Sequence, residues 1–70
     1  MNSYYYVVST SFGHTITAKR VGESASEVAK AWICSRHGID NPKLDTIYNI
    51  PDAVIWEDVG NHRAVTVLAC

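Results

Sequence analysis

The sequence predicts an α+β fold: a single antiparallel sheet of about five strands, in the order β-β-α-β-β-β, with one helix packed on one face. Three observations carry this expectation. Only residues 25–37 combine a helical apolar stripe with start and stop residues. Two Tyr/Val/Ile/Thr-rich runs precede that stretch and three β-rich runs follow it. The four glycines and two prolines fall between the runs. A chain of 70 residues holds one domain, 1–70.

Residues 4–10 and 15–21 read as a hairpin turning at Phe12-Gly13. This pairs Ser9 with Ile16, Val7 with Ala18 and Tyr5 with Arg20. Alternate side chains of a strand point to opposite faces. Tyr5, Val7, Ile16 and Ala18 therefore share a small apolar face that meets the core. Tyr4, Tyr6, Val8, Thr15, Thr17 and Lys19 share the other, amphipathic face.

The helix has Ser24 and Glu27 at capping-box spacing and Gly38 at the left-handed C-terminal position. Ala25, Val28, Ala29 and Trp32 form its apolar stripe, with Ile33 at the edge. Residues 44–50, 53–59 and 63–69 read as a strand meander. A two-residue Gly60-Asn61 turn sets Asp58 opposite Arg63, Trp56 opposite Val65 and Val54 opposite Val67. The expected core is Val28, Trp32, Val54, Trp56, Val65 and Val67, with Tyr5, Val7, Ile16 and Ala18 beneath or beside the helix. Trp32 and Trp56 are expected to meet near its centre. The pattern leaves open whether the hairpins lie side by side or the C-terminal strand lies between them.

The formal net charge is −1. That argues against a dedicated nucleic-acid binder, whose affinity comes largely from phosphate neutralisation, and against a polyanionic DNA mimic. Two cysteines, Cys34 and Cys70, are too few for the disulfide framework of a small secreted domain. The first residues lack a basic n-region and a long apolar run, and no apolar stretch has bilayer-spanning length. The expectation is a cytoplasmic protein with reduced thiols and no membrane association.

Chemistry-bearing motifs are sparse. His14, His37 and His62 are widely separated and there is no C-x-x-C, so no metal site is expected. Cys34 has Lys30 and His37 on its helix face, and cations favour a thiolate. No third group orients them, and an incidental thiol is the simpler reading. The stretch "RVGES" has a single glycine and a carboxylate at the helix mouth, which suits a plain connection better than a phosphate cradle. No acidic pair sits in an evident cleft. No enzyme activity and no cofactor are expected.

What remains is surface. Tyr4, Tyr6, Phe12 and Lys19 have the composition of a protein-interface centre, where aromatics are enriched. They are the predicted partner-binding residues, and the partner is a protein or nucleoprotein complex. Two alternatives share these residues: a small homodimeric regulatory domain joined through the tyrosine face, and a single-stranded nucleic-acid module stacking bases on it. Cross-strand Tyr–Thr and Tyr–Lys packing that only stabilises the sheet is the plainest alternative.

In size, hairpin–helix–meander order and absence of a catalytic kit, the chain resembles small phage or mobile-element proteins that block host machinery, among them type I anti-CRISPR inhibitors. The resemblance covers the whole chain as architecture and matches no residue motif. It implies a stoichiometric inhibitor in the host cytoplasm that occludes a site on a nucleoprotein complex.

Overall fold

A computed structural model describes residues 2–70. Its order is β1 (Ser3–Ser11), β2 (His14–Gly22), α1 (Ala25–His37), β3 (Asp45–Thr46), β4 (Val54–Asp58) and β5 (Arg63–Ala69). The strands form one antiparallel sheet ordered β2-β1-β5-β4-β3. The fold is the α+β class that the sequence predicts, and β5 runs between the hairpin and β4.

The hairpin register is the expected one, with Ser9 opposite Ile16 and Tyr5 opposite Arg20. Phe12 and Gly13 form the turn, both at positive φ (49° and 84°), the combination that a type I′ hairpin needs. The helix begins and ends as its caps dictate. Ser24 Oγ accepts from the Glu27 N–H at 3.1 Å, and Gly38, at φ 71°, donates its N–H to the Cys34 carbonyl at 3.0 Å.

The helix lies over one sheet face. Ala25, Val28, Ala29 and Ile33 pack there with Tyr5 and Val7 of β1, Val54 and Trp56 of β4, and Val65 and Val67 of β5. Ile33, expected at the stripe's edge, is fully buried. Ser9 and Ala53 are buried as well.

Four expectations are corrected. Ile16 is 40 % exposed, because β2 is an edge strand and its hairpin end is not covered. Trp32 is only half-buried and does not stack on Trp56. It stands at the β2 flank beside Arg20, whereas Trp56 stacks under His37, with ring centroids 5.6 Å apart. The 44–50 strand shrinks to Asp45–Thr46, because the chain turns back at once: the Ile47 N–H donates to the Ala53 carbonyl, and Asn49 and Asp52 take positive φ. The β4–β5 connection is a 3₁₀ turn, Val59–Asn61, closed by His62 at φ 54°, rather than a two-residue turn. The expected register survives, with Asp58 opposite Arg63 and Trp56 opposite Val65. An even number of connecting residues leaves facing unchanged.

Gly22 needs its missing side chain for a different reason than a turn. It is the buried last residue of β2, and a Cβ there would lie 2.5 Å from Val28 Cγ2. The hairpin and the helix can approach this closely only with glycine at this point.

Candidate functional site

One helix covers one face, and among the described residues the other face of the sheet has no element packed on it. The register assigns its residues. Tyr4, Tyr6, Val8 and Thr10 of β1 stand opposite Val21, Lys19, Thr17 and Thr15 of β2. On the other side, Tyr6 faces Leu68, Val8 faces Thr66, and Thr66 faces Ile55 of β4. Tyr4 is 61 % exposed and Tyr6 46 %, against 2 % for Tyr5 on the helix side. Three consecutive tyrosines thus divide as strand alternation requires.

Lys19 is positioned by its pairing with Tyr6. Its Nζ lies 5.9 Å from the Tyr4 ring centroid and 5.4 Å from that of Tyr6. Each exposed cation–π contact of this kind contributes about 0.5–1 kcal/mol. The result is a preset aromatic patch with a positive centre. Behind it Val8, Thr66, Leu68 and Ile55 are half-buried, and beyond them Glu57 and Asp45 line the β4–β3 side.

Three of the four predicted partner-binding residues therefore come together: Tyr4, Tyr6 and Lys19. Phe12 does not join them. It sits at the tip of the hairpin, six residues or roughly 20 Å along the strand from Tyr6. It is 67 % exposed, and its ring tilts against His62 at a centroid distance of 5.6 Å.

The Cys34 neighbourhood does not assemble. The thiol is exposed and donates to Asp40 Oδ1 at 3.6 Å, an acceptor and not a cation. The His37 ring turns the other way, to stack on Trp56 and accept at Nδ1 from Arg63 Nη1 at 3.2 Å. Burial, then the Arg63 and Arg36 charges, hold the His37 pKa below its ordinary 6.5. Arg63 in turn pairs with Asp58 at 2.6 Å. His37 thus belongs to a packed structural cluster. Cys34 and Cys70 are both free. Among the described residues no group of His, Cys, Asp or Glu is arranged to hold a metal ion, and no helix is long and apolar enough to cross a membrane.

Sequence reasoning missed a second grouping. Arg20 and Arg36 both lean on Trp32, their guanidinium carbons 5.1 and 5.5 Å from the ring centroid. They line a groove of about 480 Å³ between β2 and α1, with Val28, Ala31 and Ser35 in its wall and Glu27 also on its lining. The available signal was the position of Arg36 on the apolar side of the helix and of Arg20 on the core face of β2.

No family model, curated protein or solved structure matches this chain.

Proposed function

We propose that the protein is a non-catalytic binding module that acts by covering a site on a protein or nucleoprotein complex with its open sheet face. One observation carries this reading: Lys19 stands over both Tyr4 and Tyr6, which are exposed on a face that no described element covers. Aromatics pre-set in this way are the side chains that dominate interface energetics. The architectural resemblance extends the proposal to a stoichiometric inhibitor of a host defence complex.

Size limits how the face can work. Five strands about 4.8 Å apart, at most nine residues long, span a flat area of no more than about 700 Å². That falls short of the roughly 800 Å² per partner of a standard stable interface. Affinity must then come from a few hot spots, which places the weight on Tyr4 and Tyr6. The net charge of −1 sets the reading apart from nucleic-acid binding, since one face lysine neutralises few phosphates.

The test is capture of a partner from the cells that make the protein, with wild type and Lys19→Glu side by side. Wild type should retain a defined complex, and Lys19→Glu should retain about tenfold less or weaker still. Sedimentation of the purified protein should show a monomer at micromolar concentration. A dimer that Lys19→Glu dissociates would replace the heterologous partner with a second copy. Equal retention by both proteins would contradict the proposal.

A further inference from the structure

The groove beneath β2 has an unusual balance of donors and acceptors. Among the described residues the ion pair is Arg63–Asp58; neither Arg20 nor Arg36 joins a carboxylate. Of the five N–H donors on Arg20, one meets a protein acceptor, from Nη1 to the Lys19 carbonyl at 2.9 Å. The Trp32 indole N–H is buried without an acceptor. Two like charges and an orphan donor therefore gather around one half-buried ring. The acidic side chain that lines the groove, Glu27, stands nine residues from Arg36, roughly 13 Å of helix rise away. The groove thus has a cationic end without a carboxylate and an acidic end.

The strand beside this groove is itself unpaired on one side. β2 is nine residues long and forms the edge of the sheet. Its inner and outer backbone groups can be assigned. In β1, the Tyr4 carbonyl and the Phe12 N–H bond toward β5 and its flank, to the Cys70 N–H and the His62 carbonyl. The even residues of β1 therefore face β5, and the odd ones face β2. Through the register, Ile16, Ala18 and Arg20 of β2 are engaged with β1, while Thr15, Thr17, Lys19 and Val21 turn their N–H and C=O outward, the Lys19 carbonyl also accepting from Arg20 Nη1. Among the described residues no helix or loop is paired to this edge, and such an edge is a template for another strand.

We propose that the β2 edge and the Arg20–Trp32–Arg36 groove together bind an extended, acidic segment of a partner protein by strand addition. Pairing to Thr15, Thr17, Lys19 and Val21 supplies affinity independent of sequence. Every second side chain of the added strand then lies on the helix side, where Arg20 and Arg36 select a carboxylate by charge-assisted hydrogen bonds. Glu27 at the far end repels a second carboxylate and sets the direction of the segment.

Charge decides against a second copy of this chain as the occupant. β2 reads HTITAKRVG, with a lysine, an arginine and no acid. Pairing β2 with another β2 would bring cations to a groove already in excess of them. The surface borders the Tyr4–Tyr6 patch at Lys19 but uses that residue's backbone and the helix side, so Arg20→Gln and Arg36→Gln test it separately from the open-face reading.

The test is a titration of the intact protein, followed by tryptophan fluorescence and by backbone amide chemical shifts. The probes are a blocked threonine-rich nonapeptide with a single central Glu, its Gln/Thr counterpart, and glutarate. The Glu/Thr peptide should bind saturably, and more weakly as salt rises. The Gln/Thr peptide should bind at least about tenfold more weakly, and Arg20→Gln and Arg36→Gln should each weaken the acidic peptide at least about fivefold. The largest shifts should fall on the amides of Thr15, Thr17, Lys19 and Val21, with little change at Leu68 and Ile55. Glutarate binding as tightly as the peptide would overturn strand addition. Equal binding of the two peptides, shifts centred on Leu68 and Ile55, or no saturation by about 5 mM, would overturn the proposal as a whole.

Discussion

The carboxylate of Asp52 accepts a hydrogen bond from the Ala25 N–H at 3.0 Å, across 27 residues of sequence. Its other oxygen accepts from the Tyr5 hydroxyl. One side chain in the Pro51-Asp52 turn thereby caps the first turn of α1 and ties it to β1, next to Ser24, which caps the same helix locally. Asp52 holds φ 52° to do this, a left-handed conformation that aspartate tolerates better than most residues.

Asp52 makes acid stability a direct readout of this tie. The Tyr5 hydrogen bond, then that of Ala25, hold its pKa below the ordinary 3.8, and the same contact holds the Tyr5 hydroxyl above 10.0. A depressed carboxyl pKa stabilises the fold above the unfolded value, and that contribution is lost as pH falls through the folded value. Asp52→Asn should therefore lower the urea midpoint at pH 7, and the gap between the two proteins should narrow as pH falls below the ordinary carboxylate range. A difference that persists unchanged at low pH would show that the charge is not what matters.

Gly22 should tolerate no side chain while Val28 keeps its own. Gly22→Ala places a Cβ 2.5 Å from Val28 Cγ2, an overpacking of the kind that costs about 1–3 kcal/mol. Val28→Ala creates its own cavity, yet adding it to Gly22→Ala should cost less than adding it to wild type. Strictly additive midpoints in chemical denaturation would show that the helix shifts freely at this contact.

Phe12 occupies a backbone position that favours Asn or Gly. Its left-handed conformation costs about 1–2 kcal/mol, and its tilted contact with His62 returns about 0.5–1.5 kcal/mol. The two nearly cancel, so Phe12→Asn should leave stability within about 1 kcal/mol of wild type in thermal denaturation. At its distance from the patch Phe12 is at most a rim residue, and its loss should weaken partner binding less than about threefold.

Much of this fold could be read from local residue chemistry. The helix bounds followed from Ser24, Glu27 and Gly38, and both hairpin registers followed from alternation and charge matching at Asp58 and Arg63. The division of Tyr4, Tyr5 and Tyr6 between faces followed from the same alternation. Long-range competition was not legible. Residues 44–50 have strand composition, but the Ile47–Ala53 hydrogen bond and the commitment of Asp52 to the helix end the strand at Thr46. Trp32 has a core residue's spacing, yet β2 is an edge strand that only partly covers it. Phe12 has an interface residue's composition, but the turn that exposes it also carries it away from Tyr6.

The central claim is that Tyr4 and Tyr6 serve binding and not folding. Its most direct measurement is the affinity of Tyr4→Ala/Tyr6→Ala for the captured partner, with the melting temperature of the same protein. Because both rings are exposed and give up only their contacts with Lys19, the variant should stay folded, with a stability loss of no more than about 2 kcal/mol. Because they are the proposed hot spots, affinity should fall at least about tenfold, a loss of about 1.4 kcal/mol or more. A variant that binds as wild type does, or that loses binding only because it unfolds, would contradict the account.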